Sequence, residues 1–79
     1  MKKFIVAFRK ENDRLASVCT MAFKSQAAAK QYIEADAAYA CKKTGAFDLG
    51  WIKPKTLDYY CIELKSGVKY FWQYFPMPA

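Results

Sequence analysis

The segment YYCIELKSGVKYFWQYF, residues 59–75, most constrains how this chain can fold. It holds Tyr59, Tyr60, Tyr70, Phe71, Trp72, Tyr74 and Phe75, half of the fourteen aromatic side chains, interleaved with Lys65 and Lys69. Two β-rich runs around Lys65-Ser66-Gly67 read as a hairpin. A hairpin has two faces, and a chain of 79 residues builds one core. Some of these rings are therefore expected on a surface, where rings and lysines together suit a binding patch.

Turn chemistry offers two registers. A two-residue turn at Ser66-Gly67 pairs Lys65 with Val68. A three-residue loop with Gly67 in the left-handed region pairs Leu64 with Val68. The second sorts the residues more cleanly and is preferred. It places Tyr60, Ile62, Leu64, Val68, Tyr70, Trp72 and Tyr74 on one face, and sets Glu63 opposite Lys69 on the other. The candidate binding residues are then Tyr59, Lys65, Lys69, Phe71, Gln73 and Phe75, with Lys53 and Lys55 extending a basic border from the neighbouring loop. The alternative is that these rings pack under the tail, the helix end or a second subunit.

Upstream, Lys3 to Arg9 reads as a strand with Phe4, Val6 and Phe8 on one face. Glu11-Asn12-Asp13 is a polar turn, and Leu15 to Phe23 reads as a second strand whose two faces are hard to tell apart. Ser25 offers a hydroxyl N-cap to an alanine-rich stretch from Gln26 to Lys43 that lacks Gly and Pro, a strong helix signal. Ala29, Ile33, Ala37 and Ala40 mark its buried stripe, with Tyr32 and Tyr39 covering the edges. Lys42 and Lys43 suit the negative end of the helix dipole and Gly45 the residue after it. Phe47, Leu49 and Trp51 alternate with Asp48 and Gly50 in a third strand, which Pro54 ends or confines to an edge. Leu57–Leu64 and Val68–Phe75 complete the order ββαβββ.

The expected fold is α+β, a single five-stranded antiparallel sheet in spatial order 2-1-3-4-5 with one helix packed on one face. It forms one domain over residues 1–79, with 76–79 a loose tail. One helix leaves the second sheet face without a cover.

Thirteen Lys and Arg against seven acids give a net charge of +6. That favours polyanionic partners, and it also serves solubility alone. Cys19, Cys41 and Cys61 are far apart and odd in number, form no CxxC and lack any histidine to complete a zinc site, so reduced thiols are expected. The apolar run from Phe4 to Phe8 is too short for a signal peptide, and no stretch approaches the roughly 20 apolar residues of a membrane span. A cytoplasmic protein is expected.

With no histidine, a Ser-His-Asp or Cys-His arrangement cannot be built. The acids are scattered, and Glu34 and Asp36, two apart on a helix, point apart. Three glycines make no phosphate loop. No cofactor, metal site or catalytic residue is expected, and the chain reads as a binding protein rather than an enzyme.

One binding class is single-stranded nucleic acid, with bases on exposed rings and phosphates on lysines. A second is a protein or ribonucleoprotein partner. A third is self-association, leaving monomer and homodimer both open. Lys2 to Arg9, Leu15 to Phe23, a helix opening at Ser25-Gln26-Ala27, and three strands closing with a short Gly-containing turn resemble small phage-encoded anti-CRISPR proteins. The resemblance is one of architecture over nearly the whole chain. It implies an inhibitor that docks on a type I CRISPR-Cas surveillance complex and blocks DNA binding, in the cytoplasm of the phage's host.

Overall fold

The computed structural model describes residues 3–12, 17–18, 22–52 and 58–76. The elements are β1 (Phe4–Lys10), β2 (Ser17–Val18), α1 (Gln26–Thr44), β3 (Phe47–Ile52), β4 (Tyr59–Glu63) and β5 (Lys69–Pro76). The class is α+β, one helix on an antiparallel sheet.

Helix α1 forms where its caps and composition direct. The Ser25 hydroxyl accepts from the Ala28 amide at 3.1 Å, and Gly45 closes the other end at φ 71° with its amide on the Cys41 carbonyl at 2.8 Å. Ala29, Ile33 and Ala37 are fully buried, and Ala40 packs at the margin of the same cluster. Tyr32 tilts against Phe23 at 5.1 Å, whereas Tyr39 stands 61% exposed instead of covering the stripe's edge.

Sheet order is β2-β1-β5-β4-β3, every neighbouring pair antiparallel. Two expectations are corrected here. Among the described residues four strands run five residues or more, and β2 is described only at Ser17–Val18. Where Leu15–Phe23 was expected as a strand, the described residues show Ser17 and Val18 opposite Phe8 and Ala7, and a separate bridge from Phe23 to Phe4.

The second correction concerns β1's neighbour, which is β5 and not β3. Their pairing runs unbroken from Phe4 opposite Pro76 to Lys10 opposite Tyr70. β5 is the longest of the described strands and pairs with β1 on one side and β4 on the other. β3 is shorter and its register with β4 shifts between Asp48 and Gly50, where Gly50 takes φ 76°. A bulged strand is better placed at an edge. The bulge also breaks the expected alternation: Phe47 lies opposite Glu63 and Trp51 opposite Tyr60, on different faces.

The core is a single layer between α1 and the sheet. Val6, Tyr60, Ile62 and Trp72 meet Ala29, Ile33 and Ala37, with Phe4, Phe8, Tyr70 and Tyr74 around them. Polar tips on the rings tie the helix down. Trp72 Nε1 donates to Asp36 Oδ2 and Trp51 Nε1 to Glu34 Oε2, both at 3.0 Å. The two acids diverge from the helix, and each takes one indole. Gln26 Nε2 donates to the Tyr74 hydroxyl at 2.8 Å, and Lys30 Nζ lies 3.6 Å from Asp58.

At the β3 edge the Tyr60 hydroxyl donates to both Asp48 carboxylate oxygens at 2.6 and 2.7 Å. Burial first, then the Asp48 hydrogen bond and charge, holds this phenol protonated well beyond its ordinary range.

The alanine stripe sets how closely α1 approaches the sheet. Ala37→Leu should therefore lower unfolding free energy by about 1–3 kcal/mol through overpacking. Ala38→Leu, at the exposed neighbouring position, should change it by less than about 0.5 kcal/mol in the same urea titration. Tyr60 gives a pH test. Its folded-state pKa lies above the unfolded value of 10.0. Its contribution is complete below that pH and is lost as pH rises beyond it, because the unfolded chain ionises first. Between about pH 9 and about pH 11 the urea midpoint should fall more steeply for the native chain than for Tyr60→Phe.

Candidate functional site

The hairpin adopts the register of the three-residue loop. Tyr59 opposes Gln73, Tyr60 Trp72, Cys61 Phe71, Ile62 Tyr70 and Glu63 Lys69. Leu64 and Val68 close it through a 2.8 Å amide–carbonyl bond, with Gly67 at φ 93°. Tyr60, Ile62 and Trp72 consequently face α1. Tyr59, Cys61, Glu63, Lys69, Phe71, Gln73 and Phe75 share the other face.

Because β5 pairs with β1, this face continues across Ile5, Ala7 and Arg9, which register with Phe75, Gln73 and Phe71. Its rows can be read off the ladder. Arg9, Phe71 and Cys61 form one row; Ala7, Gln73, Tyr59 and Ile52 form the next; Ile5 and Phe75 follow. α1 packs on the opposite face.

At the centre lies a compact cluster. The Arg9 guanidinium carbon sits 5.3 Å from the centroid of the Phe71 ring. Tyr59 meets the same ring edge-on at 5.6 Å and 71°. Arg9, Tyr59, Phe71 and Gln73 line a shallow hollow of about 270 Å³. Among the described residues, no hydrogen bond or ion pair engages the side chains of Arg9, Tyr59 or Gln73.

Cys61 lies on this face yet is 3% exposed. Directly across the ladder stands Phe71, and Tyr59 and Glu63 flank it along β4. Burial pushes its thiol above the ordinary range, opposed by the Lys69 ammonium and reinforced by Glu63 and Glu11. Burial and the Asp48 carboxylate likewise raise Cys41, on α1.

The candidate residues divide as follows. Tyr59, Phe71 and Gln73 come together in the hollow, and Phe75 lies on the same face beside Ile5. Lys69 is on this face opposite Glu63, with no ion pair under 4.0 Å between them among the described residues; its amide donates to Glu11 Oε2 at 3.0 Å. Lys65 goes elsewhere. It lies against Gly45, its Cε 3.1 Å from where a β-carbon there would sit, so it borders the C-terminal end of α1. Lys53 and Lys55 lie outside the described residues.

Arg9 is the residue that sequence reasoning missed. Alternation along β1 puts it opposite Phe4, Val6 and Phe8, which is legible. Its meeting with Phe71 depends on β5 lying beside β1, which is not. A second basic and aromatic feature lies at the end of α1, where Tyr39, Lys42 and Lys43 line a hollow of about 310 Å³ and Lys43 Nζ is 5.5 Å from the Tyr39 centroid.

Among the described residues no helix is long and apolar enough to cross a membrane, and no group of three or more Cys, Asp or Glu is arranged to hold a metal ion. No protein-family model matches the chain, and no curated protein or solved structure matches it.

The shielding of Cys61 gives a direct test of this face. In the folded protein Cys61 should react with a maleimide far more slowly than Cys41, by peptide mass mapping. Phe71→Ala should raise the Cys61 rate at least about tenfold while the circular dichroism spectrum stays native. An unchanged rate would place the shield elsewhere.

Proposed function

We propose that this chain is a non-enzymatic binding protein that recognises its partner through the open face of the sheet. The observation that carries this reading is the cluster of Arg9, Tyr59, Phe71 and Gln73. Aromatic side chains and arginine are the residues enriched where binding energy concentrates. Here they are gathered on the face that α1 does not cover.

The proposed partner is a nucleoprotein. The outline shared with small phage-encoded inhibitors directs the face at a type I CRISPR-Cas surveillance complex, where docking would obstruct the path of DNA. A net charge of +6 then requires acidic protein surface or bound RNA at the contact. Such an inhibitor acts in the host cytoplasm and needs no cofactor. A tagged chain should retain Cas subunits from lysates of bacteria carrying type I systems, and the Lys69→Ala/Phe71→Ala double variant should lose them. Retention of none across several system types sets the inhibitor reading aside.

A second reading is favoured by one observation, the arginine held over a phenylalanine ring beside an amide side chain. These are the elements with which single-stranded nucleic acid is gripped directly. Binding should then weaken steeply between about 50 mM and about 200 mM salt. Absence of any complex at the lower salt with micromolar protein would remove this reading.

A further inference from the structure

We propose that the hollow bounded by Arg9, Tyr59, Phe71 and Gln73 seats one unpaired nucleobase of a single-stranded nucleic acid. Arg9, backed by Phe71, supplies the stacking plane, and Gln73 addresses the base edge. The inference rests on the direct nucleic-acid reading above and names what that face recognises.

Size is the first argument. About 270 Å³ lies just under the range of roughly 300–1,000 Å³ that holds a whole small molecule. The hollow therefore fits one planar group belonging to a larger partner. Phe75 is the next ring along β5, four residues and about 13 Å from Phe71 at strand spacing. It is too distant to sandwich the same group, so one base is seated rather than a stacked pair.

Chemistry is the second. An exposed guanidinium above an aromatic ring is a delocalised, weakly hydrated plane on which bases stack. The Gln73 amide both donates and accepts, as a base edge requires, and the Tyr59 hydroxyl can do the same. None of the three polar side chains makes a hydrogen bond or ion pair among the described residues, so a ligand gains their hydrogen bonds without breaking internal ones.

Charge is the third. Lys69 is two residues from Phe71 on the same face and is partly offset by Glu63 across the ladder. Arg9 has no carboxylate within ion-pair distance among the described residues. Glu11 and Glu63 border the face on the Lys69 side, and the Arg9 guanidinium beside a stacking platform suits a phosphodiester chain better than a neutral ring. Double-stranded nucleic acid cannot use the site, because its bases are already stacked and paired.

Fluorescence anisotropy with labelled twelve-nucleotide homopolymers and a matched duplex tests this at about 50 mM salt. Single strands should bind at least about tenfold more tightly than the duplex, and Arg9→Ala and Phe71→Ala should each weaken single-strand binding by about 5- to 100-fold. Arg9→Lys keeps the charge without the plane and should not restore affinity. Gln73→Ala should change the ranking among the four homopolymers. Phe71→Leu, close in volume, covers the case in which the alanine variant fails to fold by circular dichroism. Tyr39→Ala, at the end of α1, should bind like the native chain.

Single-strand binding that none of the Arg9, Phe71 and Gln73 variants alters would overturn the hollow and leave the nucleic-acid reading standing. Native affinity in Arg9→Lys would reduce the contact to charge and overturn the stacking role. No binding to any strand would overturn both the inference and the reading beneath it.

Discussion

A single helix covers a single face of a sheet, and α1 buries the centre of one. Its alanine stripe lets the helix axis come close, so Ile33 reaches the layer formed by Val6, Tyr60, Ile62 and Trp72. The indoles and phenols that make this layer thick enough to bury also carry polar tips. The Trp72, Trp51 and Tyr60 tips donate to Asp36, Glu34 and Asp48 around the rim, and the Tyr74 hydroxyl accepts from Gln26, so the rings pack without stranding these polar tips. Once this layer is complete, every residue at alternate positions of β1, β4 and β5 must live on the other side without a helix. The open face follows from the packing of the closed one.

How that open face tolerates its rings is visible in its pairings. Tyr59 turns its edge to Phe71, and Arg9 lays its charge over the same ring. Neighbouring side chains shield one another enough that Cys61 at the centre is nearly inaccessible. The shielding is partial: Tyr59, Phe71 and Phe75 keep some exposure, and apolar surface left in water forgoes about 25 cal/mol for each Å² not buried. A small domain has little stability to spare, so each ring retained there carries a cost in stability.

Much of the local structure was legible. Ser25, the Gly- and Pro-free run after it and Gly45 bound the helix, because caps and propensity act within a few residues. The hairpin register followed from one glycine and from which alternation sorted rings from charges. Strand order was not legible. Whether β3 or β5 lies beside β1 is decided by which strand can pair on both sides, and the bulge at Asp48–Gly50 that sends β3 to the edge looks in sequence like uninterrupted alternation. Arg9 was missed for the same reason, since its meeting with Phe71 spans sixty-two positions of sequence. Lys65 was misplaced because the turn directs it to the helix end, a choice that strand parity does not encode.

Several of the described cations rest on rings. Lys10 lies over Tyr70, Lys30 over Trp51 and Tyr74, and Lys43 over Tyr39, all on the helix side or at the helix end. Arg9 over Phe71 is the cation so placed on the open face among the described residues. At an exposed position such a contact contributes only about 0.5–1 kcal/mol, enough to bias the side chain's position and little enough that a partner can share it. Lys30 shows the contrast: with Asp58 at 3.6 Å its charge is answered inside the protein, and it serves the fold. Arg9 has a ring to rest on but no internal anion within ion-pair distance among the described residues. Lys10 and Lys43 share that condition, and what sets Arg9 apart is its place on the open face beside Tyr59 and Gln73.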